Sequence, residues 1–141
     1  ADVPGKMGHG MHGGVWCNFG TSGDYATEQR EEDALCLCFE SAAVQSPTDY
    51  LGFPTATLTL TSDKPQALLA LRLCDISPSG DSTVVSVGLL NLTHRHSHST
   101  PTPLPIDTAF TVNITLGSMG YSLLAGHKWR VCLSSTLWPR A

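Results

Sequence analysis

An all-β sandwich is the fold class that this sequence predicts, and three observations support the prediction. Several short segments alternate apolar and polar residues with the two-residue period of a half-buried strand. Turns rich in glycine and proline separate these segments, and no stretch shows a convincing helical period. The 141 residues suit one domain with a sizeable core and are too few for two.

Alternation is clearest in three segments. ATLTLT (residues 56–61) places an alanine and two leucines on one face and three threonines on the other. FTVNITL (110–116) sets four large apolar residues against polar ones in the same way. KWRVCLS (128–134) predicts a strand that buries its tryptophan, valine and leucine and exposes Arg130 and Cys132.

Two longer segments predict the centre of a sheet. ALLALRLCD (67–75) is apolar on both faces, as expected of a strand that is covered on two sides. STVVSVGLLNLTH (82–94) predicts a long strand with a bulge or bend at Gly88. SPSGDS (77–82) predicts the hairpin that joins them, and the prolines of 101–105 predict an extended linker. At least six strands without helices indicate a sandwich or jelly roll.

Charge and hydropathy restrict the class of partner. The formal net charge of −4 argues against nucleic acid or an anionic membrane as the main partner. No apolar run approaches the roughly 20 residues that span a bilayer. Only 14% of residues are charged, which predicts that another surface normally covers one face. Left exposed, such a face could pair two copies of the chain into a homodimer.

The five cysteines do not form a disulfide framework, because their number is odd and their spacing is unpaired. Cys36 and Cys38 are two apart on a predicted strand and therefore point to one face. We expect buried or half-buried free thiols, which fit a reducing compartment and a cytoplasmic location. Glycosylation triplets at Asn91 and Asn113 favour secretion only weakly.

Three alternating histidines are the strongest candidate for a metal site. On an extended strand His94, His96 and His98 would project from one face, and three imidazoles can hold zinc with one position open. Neighbouring side chains on that face are about 7 Å apart, which is too far for one ion unless the strand breaks after His94. We therefore predict a polar strand end that contacts another domain, without metal or cofactor.

No segment predicts an intrinsic catalytic site. The nearest approach to a nucleophile elbow is residues 20–23 (GTSG), which has the wrong spacing and no following helix. The charged run 28–33 could supply paired carboxylates, but we interpret it as a solvated turn with local ion pairs. Asp75 and Asp81 could bind calcium, and a hairpin capped by aspartate hydrogen bonds explains them more simply.

Three motif-bearing segments occur in one order: EQREEDALCLCFES (28–41), LGFPTATLTLTSDKPQALLALRLCDISPSGDSTVVSVGLLNLTHR (51–95) and AGHKWRVCLSSTLWP (125–139). Together they closely resemble the C-terminal non-catalytic domain of the X-Pro dipeptidyl-peptidase, cocaine esterase and acylase type of α/β-hydrolase. The resemblance covers roughly residues 14 to 139. It implies a jelly-roll sandwich of the galactose-binding-domain-like type, with the Ser–Asp–His triad on a separate, preceding α/β-hydrolase domain.

The same resemblance implies a role and a set of boundaries. The domain would pack on the catalytic domain and help to wall its substrate cleft, with Asn91, His94 and Arg95 as the predicted interdomain contact. Family members continue past Trp138, so residues 14–141 are expected to form a sandwich that lacks its last strand. Residues 1–13 are expected to be a flexible lead-in or added residues.

Two functional hypotheses follow. The first is a non-catalytic accessory domain of a serine hydrolase that acts on acyl, ester or Xaa-Pro peptide bonds. The alternative is a carbohydrate-binding module, since sugar sites stack a ring on exposed aromatic faces. The aromatic candidates for such a site are Trp16, Tyr25, Tyr50, Tyr121 and Trp138.

Overall fold

The computed structural model describes residues 1–15 and 17–141. Within them the chain forms eight antiparallel strands, one short α-helix and one 3₁₀ turn. In chain order these are α1 (Arg30–Asp33), β1 (Leu37–Glu40), β2 (Thr48–Gly52), β3 (Thr55–Leu60), β4 (Leu68–Ile76), β5 (Ser82–Asn91), the 3₁₀ turn (Leu92–His94), β6 (Phe110–Thr115), β7 (Met119–Leu123) and β8 (Lys128–Ser134). Across the described residues, none of the helices is long and apolar enough to cross a membrane.

The strands pair in a nested order, β1 with β8, β2 with β7, β3 with β6 and β4 with β5. β4 also pairs with β8, which gives a four-stranded sheet in the order β1-β8-β4-β5. Nested pairing of this kind is that of a chain wrapped as a jelly roll. The predicted all-β sandwich is confirmed, and the galactose-binding-like subtype stays a prediction.

The main core lies between one face of the four-stranded sheet and the β3–β6 pair. Alternation along β3 and β6 is as predicted, because each buries every second residue and exposes its threonines and Asn113. Opposite them, β4 contributes three buried leucines, and β8 contributes one. The fully buried members of this cluster are Leu69, Leu71, Leu73, Leu92, Leu104, Val112, Ile114, Leu116 and Leu133.

The bulge in the β4–β5 ladder does not lie where the sequence predicted it. The register shifts between Leu73 and Cys74, and Gly88 pairs regularly with Leu71. A side-chain Cβ at Gly88 would lie 3.0 Å from Leu116 Cγ. Glycine is therefore needed at this position because the chain after β6 packs directly on β5.

The second face of the four-stranded sheet is also buried, beneath α1 and the N-terminal residues. Cys132 is only 1% exposed, so the prediction that it faces solvent is wrong. The solvated turn predicted for residues 28–33 is wrong as well, because Glu32 and Asp33 are 2% and 5% exposed. Both errors have one cause: α1 lies on this face and turns its two carboxylates inward.

The N-terminal residues contact the last residues of the chain. Pro4 O accepts a hydrogen bond from Ser135 N at 3.0 Å, and His9 O accepts one from Trp138 N at 2.7 Å. The His9 side chain is buried and its Nδ1 lies 2.5 Å from Thr136 O. A domain boundary after residue 13 stays a prediction, and the contacts of Pro4 and His9 favour counting part of residues 1–13 with the sandwich.

Candidate interdomain surface

The segment after β5 holds the residues predicted to contact another domain. β5 ends at Asn91, whose side-chain oxygen accepts hydrogen bonds from Thr93 N at 3.1 Å and Thr93 Oγ1 at 2.8 Å. Asn91 thus caps the 3₁₀ turn, a role that asparagine performs well. The extended strand assumed for residues 94–98 is therefore absent, since the chain turns before His94.

Arg95 braces the proline-rich linker. Its guanidinium donates to Leu92 O at 3.1 Å, Thr102 O at 2.9 Å and Pro103 O at 3.1 Å. It also lies over the Phe110 ring, 5.5 Å from the centroid. Arg95 is half-buried by these contacts, whereas Asn91 is exposed and His94 half-buried. The structure places all three residues at one end of the sandwich, where their predicted interdomain contact stays a prediction.

The histidines are not arranged as the alternation implied. The His94 and His98 rings approach to 5.5 Å between centroids, and His96 is exposed. Among the described residues, the group whose ligand atoms all lie within 4.8 Å of one another is instead Asp33, Cys74 and Cys132. Asp33 is already bound by two guanidinium groups, so a cation there would meet positive charge, and this set does not fit a metal ion.

A different part of the surface exposes large apolar side chains. Leu51, near the end of β2, is 93% exposed, and Phe53, in the turn that follows, is 68% exposed. They border a shallow depression of about 320 Å³. We call this region the turn surface; it is lined by Tyr50, Leu51, Gly52, Phe53, Pro54, Leu73, Met119 and Trp129. Exposed apolar side chains that adjoin an apolar depression are typical of a protein–protein contact.

Aromatic packing supports the turn surface from below. Tyr50 and Trp129 meet edge to face at 5.3 Å, and the Tyr121 and Trp129 ring centroids are 5.7 Å apart. These rings come from three strands, β2, β7 and β8. The depression therefore has a rigid floor, while Leu51 and Phe53 rise from its rim.

Next to this aromatic cluster lies Asp75, which sequence analysis considered as a calcium ligand or a hairpin cap and whose actual partners it missed. Asp75, 6% exposed, accepts hydrogen bonds from Tyr121 OH at 2.8 Å and, through its other oxygen, pairs with His127 Nδ1 at 2.8 Å. Burial, together with the hydrogen bond to Asp75 and its charge, raises the pKa of Tyr121 to about 12. In the described part of the chain no serine hydroxyl bonds His127, so this Asp–His pair holds β4 against the β7–β8 loop.

Asp33, the last residue of α1, is the centre of a buried ion-pair network. Its Oδ1 contacts Arg72 at 3.0 Å and accepts from Cys132 Sγ at 3.2 Å. Its Oδ2 accepts from Arg130 and Ser82, both at 2.7 Å. Burial alone would raise the pKa of Asp33, but these donors and the charge of Arg72 outweigh it and hold the pKa below the ordinary aspartate value.

Glu32, the neighbouring carboxylate, fastens the N-terminal segment. It accepts from Gly10 N at 2.6 Å and His12 N at 3.0 Å, and it lies 3.6 Å from His9 Nε2. Burial opposes ionisation of Glu32, but the backbone donors lower its pKa on balance. Glu32 and Asp33 are adjacent in the run EEDALCLC, and both carboxylates face the same buried surface. This pair of neighbouring acidic residues was the sequence signal that the face is covered.

The aromatic residues proposed for sugar binding do not gather into one site. Tyr50 and Tyr121 pack against Trp129, and the Tyr121 hydroxyl is bound to Asp75. Tyr25 and Trp138 are 58% and 59% exposed. Trp16 lies outside the described residues. Of the four described candidates, Tyr50 lines the depression of the turn surface, whereas Tyr25, Tyr121 and Trp138 are not part of its lining.

Comparison with solved structures shows the same fold as a part of several hydrolases. An aminopeptidase from a marine sediment Thaumarchaeota archaeon matches 86% of this chain with a TM-score of 0.77 at 18% identity. An α-amino acid ester hydrolase matches 79% of it with a TM-score of 0.71 at 23% identity. A CocE/NonD family hydrolase from Staphylococcus aureus matches 77% with a TM-score of 0.68 at 19% identity.

The matched region is a minor part of each of these proteins. This chain covers 22%, 20% and 24% of their respective lengths. A sequence comparison with curated proteins finds no match. The family model for the X-Pro dipeptidyl-peptidase C-terminal non-catalytic domain matches residues 9–141, almost the whole chain. The chain therefore belongs to the X-Pro dipeptidyl-peptidase C-terminal non-catalytic domain family.

Proposed function

We propose that this chain is the accessory domain of a serine hydrolase of the dipeptidyl-peptidase, esterase or acylase type. The observation that carries the proposal is the family match over residues 9–141, since that family is non-catalytic by description. In the similar hydrolases, about four-fifths of the chain lies outside the matched region. The domain packs on the parent's α/β-hydrolase domain and helps to shape its substrate cleft.

The turn surface is the contact that we assign to that catalytic domain. Leu51 and Phe53 are exposed although each would gain about 1.5–3 kcal/mol by full burial. Among the described residues, no other part of the domain covers them. Asn91, His94 and Arg95 form a second candidate contact, made of polar side chains, at the other end of the sandwich.

Association with the catalytic domain tests this assignment. The 141-residue chain is mixed with the separately expressed α/β-hydrolase segment of its parent and examined by size exclusion and calorimetry. Leu51→Ser with Phe53→Ser is expected to weaken binding at least tenfold, as loss of central apolar contacts does. Ile106→Ser is the matched control, because Ile106 is 53% exposed and lies beyond the far end of β3.

The outcomes separate the two surfaces. Weakening by the turn-surface variant but not by Ile106→Ser supports the assignment. Weakening by His94→Ala alone moves the contact to the 3₁₀ turn. Absence of any association, with both proteins folded, contradicts the accessory role.

Catalysis by the isolated chain provides an independent test. We expect no hydrolysis of p-nitrophenyl esters or Xaa-Pro anilides, because the triad lies on the catalytic domain. Turnover that a serine-directed inhibitor abolishes would contradict the proposal. Titration with simple sugars addresses the carbohydrate-binding alternative, which neither the family match nor the dispersed aromatic residues favour.

We also place the domain in a reducing compartment, the cytoplasm. All five cysteines are free, including Cys38 and Cys132, whose sulfurs are only 3.3 Å apart. Such close thiols persist unbridged where thiol buffers keep cysteines reduced.

A further inference from the structure

Two cysteines are direct cross-strand neighbours on the covered face of the four-stranded sheet. Cys38 in β1 is opposite Cys132 in β8, and their sulfur atoms are 3.3 Å apart. Directly opposed residues in an antiparallel pair have Cα atoms about 4.5–5.5 Å apart. That spacing lies within the range of about 4.4–6.8 Å that a disulfide requires. The strands therefore hold the two thiols ready to be bridged without movement of the backbone.

The surroundings give the two thiols different properties. Cys38 is half-buried and borders an open depression of about 390 Å³, with Arg30, Glu40 and Arg130 around it. Cys132 is 1% exposed and donates to Asp33 Oδ1 at 3.2 Å. One thiol is thus accessible from solvent, and the other lies behind it next to a carboxylate.

Electrostatics makes Cys38 the more reactive thiol. Its contact with the Cys132 thiol lowers its pKa, and the positive charges of Arg130 and Arg72 act in the same direction against burial and the charge of Asp33. Hydrogen bonding with Cys38 and then with Cys74, followed by burial, raises the pKa of Cys132. Oxidation-prone cysteines combine thiolate character with access and a neighbouring second thiol.

We propose that Cys38 and Cys132 form a peroxide-oxidisable pair, in which a small peroxide reacts at Cys38 and Cys132 resolves the product as a disulfide. In the first step the Cys38 thiolate attacks a peroxide oxygen. The sulfur–oxygen bond forms, the oxygen–oxygen bond breaks, and the hydroxide that leaves takes the proton that the Cys38 thiol released to the solvent and becomes water. Cys38 is oxidised to a sulfenic acid, and the peroxide is reduced.

The second step joins the two sulfur atoms. The Cys132 thiol attacks the Cys38 sulfur, so that the sulfur–sulfur bond forms and the sulfur–oxygen bond breaks. The departing hydroxide takes the Cys132 thiol proton and becomes water, while Asp33 positions the thiol through its hydrogen bond. For hydrogen peroxide the sum is two thiols and one peroxide giving one disulfide and two waters. Thioredoxin- or glutathione-type thiols of a reducing compartment return the pair to its starting state.

The disulfide would join an edge strand to a central strand. β1 is the outermost strand of the four-stranded sheet, and Cys38 is 94 positions from Cys132 in sequence. Closing so long a loop restricts the unfolded chain, so the oxidised protein is expected to melt at a higher temperature than the reduced one.

Peptide mapping after treatment with hydrogen peroxide tests the proposal in the wild-type chain. The expected product is one intramolecular disulfide between the peptides that contain Cys38 and Cys132, reversed by a thiol reductant. Cys17→Ser is the matched control, because Cys17 is an exposed thiol remote from the pair in sequence, and this variant should give the same bridge. Cys132→Ser should leave Cys38 as a sulfenic acid that a cyclic 1,3-diketone labels.

Other products would overturn the proposal. These are a bridge between Cys74 and Cys132, oxidation confined to Cys17, or irreversible oxidation of Cys38 in the wild-type chain. A bound zinc ion that protects all the buried thiols would also overturn it, and elemental analysis before oxidation detects one. Mapping of the wild-type chain needs no substitution, so the test holds even if Cys132→Ser fails to fold.

Discussion

The two faces of β4 are both buried, yet they are buried in different ways. Leu69, Leu71 and Leu73 point to the main core and pack in its apolar cluster. On the opposite face Arg72 is 1% exposed, and its guanidinium meets Asp33 and Gln29 at 3.0 Å and 2.6 Å. One strand thus separates a core held by the hydrophobic effect from a layer held by matched charges and hydrogen bonds.

The two faces therefore tolerate different substitutions. The leucine face loses free energy in proportion to the volume removed, and it does so at any pH. The stability of the charged face depends on the presence of every hydrogen-bond and ion-pair partner, because a buried polar group left without its partner keeps its desolvation cost.

Substitution of Arg72 by methionine is expected to have the largest effect. It leaves the Gln29 side-chain oxygen without its buried donor and Asp33 with one cation in place of two. We expect the free energy of unfolding, measured with urea, to fall by about 3–5 kcal/mol. Arg30→Met is the control, since Arg30 is an exposed ion-pair partner and its loss should cost at most about 1 kcal/mol.

A double-mutant cycle sharpens the same point. Asp33→Asn should cost clearly less in the Arg72→Met background than in the wild type, because the two side chains share one interaction. Equal costs in both backgrounds would mean that the face behaves like the leucine core.

Substitution of Leu71 by alanine comes next. Leu71 is fully buried in the main core, so we expect a loss of about 3 kcal/mol from lost contact and a residual cavity. The loss should be the same at neutral and mildly acidic pH. It should also add to that of Arg30→Met without coupling, because these residues share no contact.

The decrease in the free energy of unfolding at acidic pH is expected to depend on the charged face. The pKa of Asp33 in the folded chain is below its ordinary value. Its contribution to the free energy of unfolding is therefore full above about pH 4, the ordinary aspartate pKa, and is lost as the pH falls through the folded-state pKa. Near pH 4 the loss is partial and therefore smaller than that of Arg72→Met. Asp33→Asn should flatten this slope, whereas Leu71→Ala should keep it. An unchanged slope in Asp33→Asn would assign the acid sensitivity to Glu32 or other carboxylates.

Replacement of Gly88 by alanine is expected to have the smallest effect. The added Cβ would lie 3.0 Å from Leu116 Cγ and 3.3 Å from Leu116 Cα, so the chain after β6 must shift, at a cost of about 1–2 kcal/mol. Gly120→Ala is the matched control, because its Cβ would meet Leu51 Cδ1 at an ordinary 3.6 Å. A neutral Gly88→Ala would mean that the packing of β6 on β5 is loose.

Sequence patterns were sufficient for the strands whose two faces differ. The alternation in β3 and β6, the apolar run of β4 and the SPSGDS hairpin all correspond to the observed elements. These elements could be predicted because all side chains on one face of such a strand have the same surroundings, either water or core, along its whole length. The resemblance of ordered motifs to the non-catalytic family added the fold and family before any geometry was known.

Long-range partners could not be read in this way. Cys132 alternates as an exposed residue would, and only the placement of α1 over β8 buries it. Glu32 and Asp33 read as solvated because their partners lie 20 or more positions away in sequence. Asn91 did carry a local signal, since asparagine two positions before threonine is typical of a side-chain cap.

The turn surface was missed for a related reason. LGFP reads as a turn, and a turn is normally polar, so the exposure of Leu51 and Phe53 becomes meaningful only beside Trp129 and Tyr50. These four residues come from segments that alternate or turn in unremarkable ways when taken singly. Three-dimensional adjacency, which depends on the pairing of β2 with β7 and the course of β8, creates the surface.

Amide hydrogen exchange of this chain, alone and with the parent's α/β-hydrolase segment, is the most direct test of the accessory role. We expect slower exchange on mixing at residues 50–53 of the turn surface, with little change at Ile106. Protection confined to residues 91–95 would move the contact to the 3₁₀ turn and contradict the assigned surface. Unchanged exchange throughout the chain would contradict the accessory role itself.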